Sequence, residues 1–214
     1  MTANNFNSKS FNKMPVIGIL RNISLETIES IMPIYSEAGF TNVEVTMNTP
    51  DVANIISKLC KNYPNLNIGA GTVCNKAELE SALKAGASFI VTPIISEEVI
   101  QTCVKKNIPI FPGAYTPTEI YLANQLGATA VKVFPATQLG PDYIKNVLGP
   151  LDKSRLIPTG GVTKNNIKKF FESGAYAVGM GSSLFDKKLI SAKKLEALKS
   201  HFLEIADLVT PHTL

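Results

Sequence analysis

The feature that most constrains the fold of this chain is a regular alternation of short apolar runs with longer amphipathic segments. Each run and its following segment span roughly 20 residues, as expected for a strand and its crossover helix. Eight runs predict strands: Val16–Leu20, Asn42–Thr46, Asn67–Gly71, Ser88–Thr92, Pro109–Phe111, Ala130–Phe134, Arg155–Thr159 and Ala175–Gly179. The segments between them predict helices, chiefly Leu25–Ala38, Val52–Lys61, Lys76–Ala85, Glu97–Lys106, Pro117–Leu126 and Lys164–Glu172. Eight such units predict an α/β fold, a single-domain (β/α)8 TIM barrel.

Residues at the ends of the predicted helices agree with this division. Glycines follow four of the helices and precede the next strand, where a left-handed cap belongs: Gly39, Gly86, Gly127 and Gly174. Capping residues precede five helices: Ser24, Asn75, Ser96, Thr116 and Thr163. The competing arrangement is an open doubly wound sheet, which we favour less because the count reaches eight and no glycine-rich dinucleotide turn follows the first strand.

The two ends of the chain flank this repeat. Residues 1–14 are rich in Asn and Ser and predict either a loose arm or a short helix that covers the bottom of the barrel, which would occupy residues 15–214. Apolar residues recur at helical spacing in Lys193–Val209, which predicts a final packing helix.

Composition limits the classes of partner. The chain has 214 residues, 45% of them hydrophobic, and a net charge of +4 with the lysines scattered, so we expect neither nucleic-acid binding nor a second domain. No stretch approaches the ~18 apolar residues that a membrane span needs. Three dispersed cysteines (Cys60, Cys74 and Cys103) fit a reducing cytoplasm. His201 and His212 lie in the tail, and no His, Asp or Glu cluster has metal-ligand spacing, so we expect no metal and no cofactor.

Lys132 is the residue that points most directly to chemistry. It lies in the apolar run Ala130–Pro135, with no carboxylate beside it. Burying an ammonium group costs free energy unless the amine becomes neutral, and a neutral amine is a nucleophile toward carbonyl groups. Lys132 therefore predicts a Schiff base, although a strand lysine can also extend its ammonium to the surface.

Glu44 is the predicted counterpart of Lys132. It stands on the second strand between two valines, and in an eight-stranded barrel the second and sixth strands lie opposite each other. Side chains alternate between the faces of a strand, so both residues can point to the barrel axis. The pair predicts a covalent lyase; the alternative for Glu44 is a structural ion pair.

Loops after the last two strands suggest an anion site. Pro158–Thr163 and Gly179–Ser183 carry Gly160, Gly161, Gly181 and Ser182, whose backbone N–H groups and hydroxyl can approach a phosphate. Glycine pairs also form plain turns.

Arg21 ends the first strand and can bind a carboxylate or phosphate, or form a surface ion pair. Thr72 can bind a carboxylate or cap a helix.

The order of these segments resembles the 2-keto-3-deoxy-6-phosphogluconate (KDPG) / 4-hydroxy-2-oxoglutarate (KHG) aldolases. The pattern runs from Gly127 through Val131–Ala136 to Gly140, and Val43–Thr46, Gly69–Val73 and Pro158–Val162 match in order. The resemblance implies a class I aldolase on a (β/α)8 barrel, usually a homotrimer. It also implies imine formation by Lys132, proton transfer by Glu44, a pyruvyl pocket and a phosphate site. The pocket would contain Thr72, Pro93 and Phe134, and the phosphate site would contain Gly161 and Ser182.

One departure from the family pattern concerns the substrate. Members that act on the gluconate-derived phosphate have an arginine just after the glutamate strand, which holds the pyruvyl carboxylate; here Asn48 stands there. The Asn-Thr-Pro version resembles the branch that acts on the galactonate-derived phosphate (KDPGal), and in that branch Arg21 would hold the carboxylate. The expected substrates are therefore a keto acid and a sugar phosphate. The rival functions are a phosphosugar isomerase or epimerase and a non-catalytic phospholigand-binding barrel.

Overall fold

The computed structural model describes residues 6–209. Predictions for residues 1–5 and 210–214, including the one for His212, lie outside the described residues. The helices are α1 Ser8–Lys13, α2 Leu25–Glu37, α3 Val52–Asn62, α4 Lys76–Lys84, α5 Glu97–Lys105, α6 Pro117–Gln125, α7 Gly140–Leu148, α8 Ile167–Glu172, α9 Lys187–Ser191 and α10 Leu195–Val209. The strands are β1 Val16–Leu20, β2 Asn42–Thr46, β3 Asn67–Gly71, β4 Phe89–Val91, β5 Ile110–Phe111, β6 Gly113–Ala114, β7 Val131–Val133, β8 Leu156–Pro158 and β9 Val178–Met180. None of the described helices is long and apolar enough to span a bilayer.

All strand pairs are parallel, and they form two sheets. Six strands pair in the order β5-β4-β3-β2-β1-β9, and three pair in the order β6-β7-β8. Strands β1, β2 and β3 have the predicted bounds and are buried at every residue, as expected for parallel strands covered on both sides. The fold is thus α/β, with a strongly curled six-stranded parallel sheet and a smaller second sheet.

The predicted fifth strand ends at Phe111, as β5 does, and beyond Pro112 the chain forms β6, a strand that was not predicted. Because proline has no N–H group to donate to a ladder, β5 ends at Phe111, and β6 resumes in the other sheet. Hydrogen bonds continue across the break: Lys132 N–H donates to the Pro112 carbonyl at 2.9 Å, and Thr92 N–H donates to Phe111 at 3.3 Å. At the other junction between the sheets, Thr159 bridges Gly179.

Two predicted elements begin three residues too early, whereas the other predicted bounds agree with the structure to within two residues. The eighth strand begins at Val178, not at Ala175, because the Ala175 N–H still donates to Phe170 at the end of α8. Helix α8 begins at Ile167, not at Lys164. Asn166 is its N-cap residue, and its side chain accepts from the Thr163 N–H at 2.8 Å, so a turn occupies the predicted first helical residues.

Aromatic side chains fill the interior at the N-terminal ends of the strands. Phe11 of α1 is buried, and its ring lies 5.7 Å from that of Phe111 and 5.8 Å from that of Tyr176. Beside this cluster the Asn42 side chain donates to the Met14 carbonyl and accepts from Asn67. Packing therefore fills this end of the interior, and the polar residues described next lie at the middle of the strands and in the loops beyond their C-terminal ends.

Candidate active site

The amine of Lys132 is almost wholly removed from solvent. Lys132 is the central residue of β7, only 3% exposed, and its Nζ lies 4.7 Å from the centroid of the Phe134 ring. Burial lowers the pKa of Lys132, and the nearby Arg21 charge lowers it too, whereas Glu44 and Cys74 act in the opposite direction. The amine is therefore held closer to its neutral, nucleophilic form.

Glu44 lies at the centre of β2 and is 1% exposed. Burial raises the pKa of Glu44, partly opposed by the charges of Lys132 and Arg21. Its Oε1 has no hydrogen-bond partner among the described residues. The carboxyl group rests against Gly71, where a Cβ atom would collide with it. A buried carboxyl group with a raised pKa and a free oxygen can give and accept protons near neutral pH.

The structure brings Lys132 and Glu44 to one small cavity inside the curled sheets. Its other walls are mostly apolar: Ile17, Ile19, Val91, Phe111, Ile157, Thr159 and Gly179. Such walls account for the desolvation of both groups. The amine and the acid thus face the same space.

A larger cleft of about 420 Å³ adjoins this cavity. The two share Ile19, Thr159 and Gly179 as lining residues. The predicted residues Arg21, Phe134, Gly160, Gly161, Gly181 and Ser182 all line the cleft. The structure therefore places the proposed anion loops at the mouth of the cavity that holds the amine and the acid.

Gly160 and Gly161 have left-handed φ angles of +87° and +76°. A Cβ at Gly161 would come within 2.8 Å of the Thr137 backbone. Glycine adopts these left-handed φ angles readily and has no Cβ atom to collide with Thr137. The backbone of this loop is therefore not covered by a side chain at these two positions.

Three predicted site residues line neither cavity. Asn48 is exposed in the turn after β2, Pro93 packs its carbonyl against Gly113, and Thr72 is half-buried with φ of +58°. The Thr72 carbonyl accepts a hydrogen bond from the Cys74 thiol at 3.7 Å, and Cys74 acts electrostatically on Lys132. The Thr72 loop therefore borders the site even though its side chain does not line it.

Sequence reasoning missed Thr159, which lines both cavities, and Lys187, which lines the cleft. Thr159 ends the predicted seventh strand, and its inward alternation with Ile157 is the signal that could have found it. Lys187 follows the eighth-strand loop, but nothing in its local sequence separates it from Lys188.

The described residues contain no group of three or more His, Cys, Asp or Glu side chains able to hold a metal ion.

Comparisons with known proteins agree with this site. A family model for KDPG and KHG aldolases matches residues 8–200. The chain is 34% identical to the 2-dehydro-3-deoxy-6-phosphogalactonate aldolase of Escherichia coli, over 81% of this chain and 85% of that protein. A solved structure described as native KDPGal is 30% identical, with a TM-score of 0.86, and the match covers 94% of this chain and 96% of that one.

Another solved structure is a KDPG aldolase from Legionella pneumophila with pyruvate captured as a covalent carbinolamine intermediate. It is 25% identical to this chain, with a TM-score of 0.81 and coverage of 96% and 97%. A carbinolamine is the addition product of an amine and a carbonyl group, the first step toward an imine.

Proposed function

The chain belongs to the KDPG and KHG aldolase family and is a class I aldolase, a carbon–carbon lyase, and we propose that Lys132 and Glu44 are its catalytic residues. The observation that carries the proposal is a buried amine and a buried carboxyl group that face one small apolar cavity. Family membership disfavours the rival isomerase and the non-catalytic binding module.

In the proposed reaction, neutral Lys132 attacks the C2 ketone of a 2-keto-3-deoxy-6-phospho-sugar acid. Glu44 delivers the proton that lets water leave the carbinolamine, and the iminium ion forms. Glu44 then takes the proton of the C4 hydroxyl, the C3–C4 bond breaks, and its electron pair moves into the iminium to give an enamine. Glyceraldehyde 3-phosphate leaves; protonation of the enamine and hydrolysis release pyruvate and the free amine.

The substrate is proposed to lie along the two connected cavities. Arg21 binds the carboxylate; it lines the cleft, and its charge affects the pKa of both Lys132 and Glu44. Phe134, beside the amine, shapes the pyruvyl pocket, together with the Thr72 and Pro93 loops. Backbone groups of Gly160, Gly161 and Gly181 and the Ser182 hydroxyl hold the distal phosphate, because these residues line the cleft that adjoins the cavity of the amine and the acid.

We assign the galactonate-derived phosphate as the preferred sugar acid. Asn48 carries no charge and is exposed outside the cleft, so the carboxylate is assigned to Arg21, the cleft cation whose charge acts on Lys132 and Glu44. The name of the Escherichia coli relative supports this choice. KHG, which would yield pyruvate and glyoxylate, is proposed as a minor substrate because it shares the keto-acid end.

We further propose that the two sheets close into a single (β/α)8 barrel. The hydrogen bonds at Pro112 and the Thr159–Gly179 bridge support closure at both junctions. A homotrimer is proposed on exposed apolar side chains, those of Ile94 and of Tyr115, Tyr121 and Leu122, the last three of which lie near one another in sequence. A cytoplasmic location is proposed because Cys60, Cys74 and Cys103 are free thiols.

Reduction of the pyruvate adduct tests the central role of Lys132. Borohydride should add one reduced pyruvyl group to the wild-type protein, at Lys132 by peptide mass spectrometry. Lys132→Met should lose this adduct and all pyruvate methyl exchange in deuterated water, while a control at an exposed lysine, Lys145→Met, keeps both. Labelling of a different residue, or an active Lys132→Met variant, would refute the assignment.

A further inference from the structure

We propose that Lys187 is a specificity-determining residue that binds the distal phosphate of the substrate. The proposal rests on the function given above and adds to it a side-chain cation in the cleft. Lys132 and Glu44 line the small cavity, whereas Lys187 lines the adjoining cleft and not that cavity.

The turn before α9 determines which of two neighbouring lysines, Lys187 or Lys188, lines the cleft. The Asp186 side chain accepts hydrogen bonds from the backbone N–H groups of Lys188, at 2.7 Å, and Leu189, at 3.0 Å. Lys187 is the first residue of the helix and lines the cleft, whereas Lys188 does not. None of the ion pairs found in the described part of the chain involves Lys187, so its ammonium is available to a ligand.

The charges in the cleft have one sign. Among the described residues that line it, Arg21 and Lys187 are cationic and none is acidic. Arg21 acts on the inner end, because its charge shifts the pKa of both Glu44 and Lys132. The substrate carries two anionic groups, a carboxylate beside the reacting ketone and a phosphate at the far end. The cleft thus offers one cation that acts on the amine and the acid, Arg21, and a second, Lys187, for which no such action is found.

The chemistry of lysine suits the outer position. An ammonium group is a flexible point charge with three donors, and it can follow a phosphate that the backbone of Gly160, Gly161 and Gly181 already orients. Lys187 would contribute a positive charge, and only a phosphorylated substrate has the phosphate group that this charge attracts. Lys187 should therefore favour phosphorylated over unphosphorylated keto-deoxy acids.

Steady-state kinetics with a matched pair of substrates test this inference. The phosphorylated galactonate-derived keto acid and its unphosphorylated counterpart are compared in wild type, Lys187→Ala and the control Lys188→Ala. Lys187→Ala should lower kcat/KM for the phosphorylated acid by about tenfold, the size expected for a charge-assisted contact in an open cleft. The unphosphorylated acid and Lys188→Ala should be unaffected. Inorganic phosphate should also compete with substrate more weakly in Lys187→Ala.

Equal losses for both substrates, no loss at all, or a matching loss in Lys188→Ala would overturn the role of Lys187. Pyruvate methyl exchange separates this result from failure of the proposed function, because that half-reaction involves no phosphate. Wild type and Lys187→Ala should exchange at the same rate. Absence of exchange in the wild type would instead contradict the Schiff-base assignment, and the phosphate titration would still report on Lys187.

Discussion

Gly71 controls the position of the proposed proton-transfer group, and Gly71→Ala tests that control. In the structure a Cβ atom at position 71 would lie 2.5 Å from Cδ of Glu44 and 3.1 Å from its Oε2. Ordinary contact between carbon and such atoms needs about 3.5 Å, so the carboxyl group must withdraw by about 1 Å. The φ angle of Gly71 lies outside the left-handed region, so alanine strains only the contact with Glu44.

A displacement of this size has a calculable effect on rate. A misplacement of about 1 Å in a catalytic group costs on the order of 10²-fold, which corresponds to about 2.7 kcal/mol of activation free energy. We therefore expect kcat for cleavage to fall about a hundredfold in Gly71→Ala, with a smaller change in KM. Pyruvate release followed by a coupled dehydrogenase gives kcat, and calorimetry gives the melting temperature.

Gly69 offers a matched control on the same strand. A Cβ at Gly69 would strike the Phe89 ring in the aromatic cluster, not the carboxyl group. Gly69→Ala should lower the melting temperature and leave kcat of the folded enzyme near the wild-type value. In a Glu44→Gln background, Gly71→Ala should cause little further loss of kcat, because both changes disable one group. Wild-type kcat and stability in Gly71→Ala would refute the placement of Glu44.

Further predictions concern the charge on Glu44 and the carboxylate contact. Glu44→Gln should lose kcat by about two to four decades. Because burial raises the pKa of Glu44, its contribution to stability is fully present below the unfolded pKa and is lost as the pH rises through the folded pKa. Glu44→Gln should therefore gain unfolding free energy relative to wild type as the pH rises through the folded pKa of Glu44; parallel pH curves from urea denaturation would contradict this. Arg21→Ala should raise KM for pyruvate exchange about tenfold and Asn48→Ala should leave it unchanged; the reverse order would return the carboxylate contact to Asn48.

Sequence periodicity predicted the inner strands because local and tertiary preferences agree there. Strands β1, β2 and β3 have the bounds that their apolar runs predict. The single charged residues Glu44 in Asn42–Thr46 and Lys132 in Ala130–Phe134 were also informative. Burying a charge costs the most free energy where every neighbouring residue is buried. That cost, and the alternation of side chains along a strand, predicted that Lys132 and Glu44 share the interior.

The wrong boundaries arise where a side chain or a missing donor competes with the regular pattern. The amide of Asn166 bonds to the Thr163 N–H and to the Gly161 carbonyl, and so replaces the first turn that a cap at Thr163 would start. Pro112, just after the predicted fifth strand, removes one ladder donor, and the strand after it, β6, which was not predicted, pairs in the other sheet. Lys187 was missed because its role depends on the direction of a short turn, which Asp186 sets through backbone contacts.

The interior is divided between a packed end and a reactive end, and glycines mark the division. Gly69 makes room for the Phe89 ring, whereas Gly71, two residues farther along the same face, makes room for the Glu44 carboxyl group. Stability from the aromatic end offsets the free-energy cost of the two desolvated groups at the other end. Because a Cβ at Gly69 would meet the Phe89 ring and a Cβ at Gly71 would meet the Glu44 carboxyl group, changes at Gly69 should affect folding and changes at Gly71 should affect catalysis. If both variants lost stability and rate together, the interior would behave as one unit and this division would be wrong.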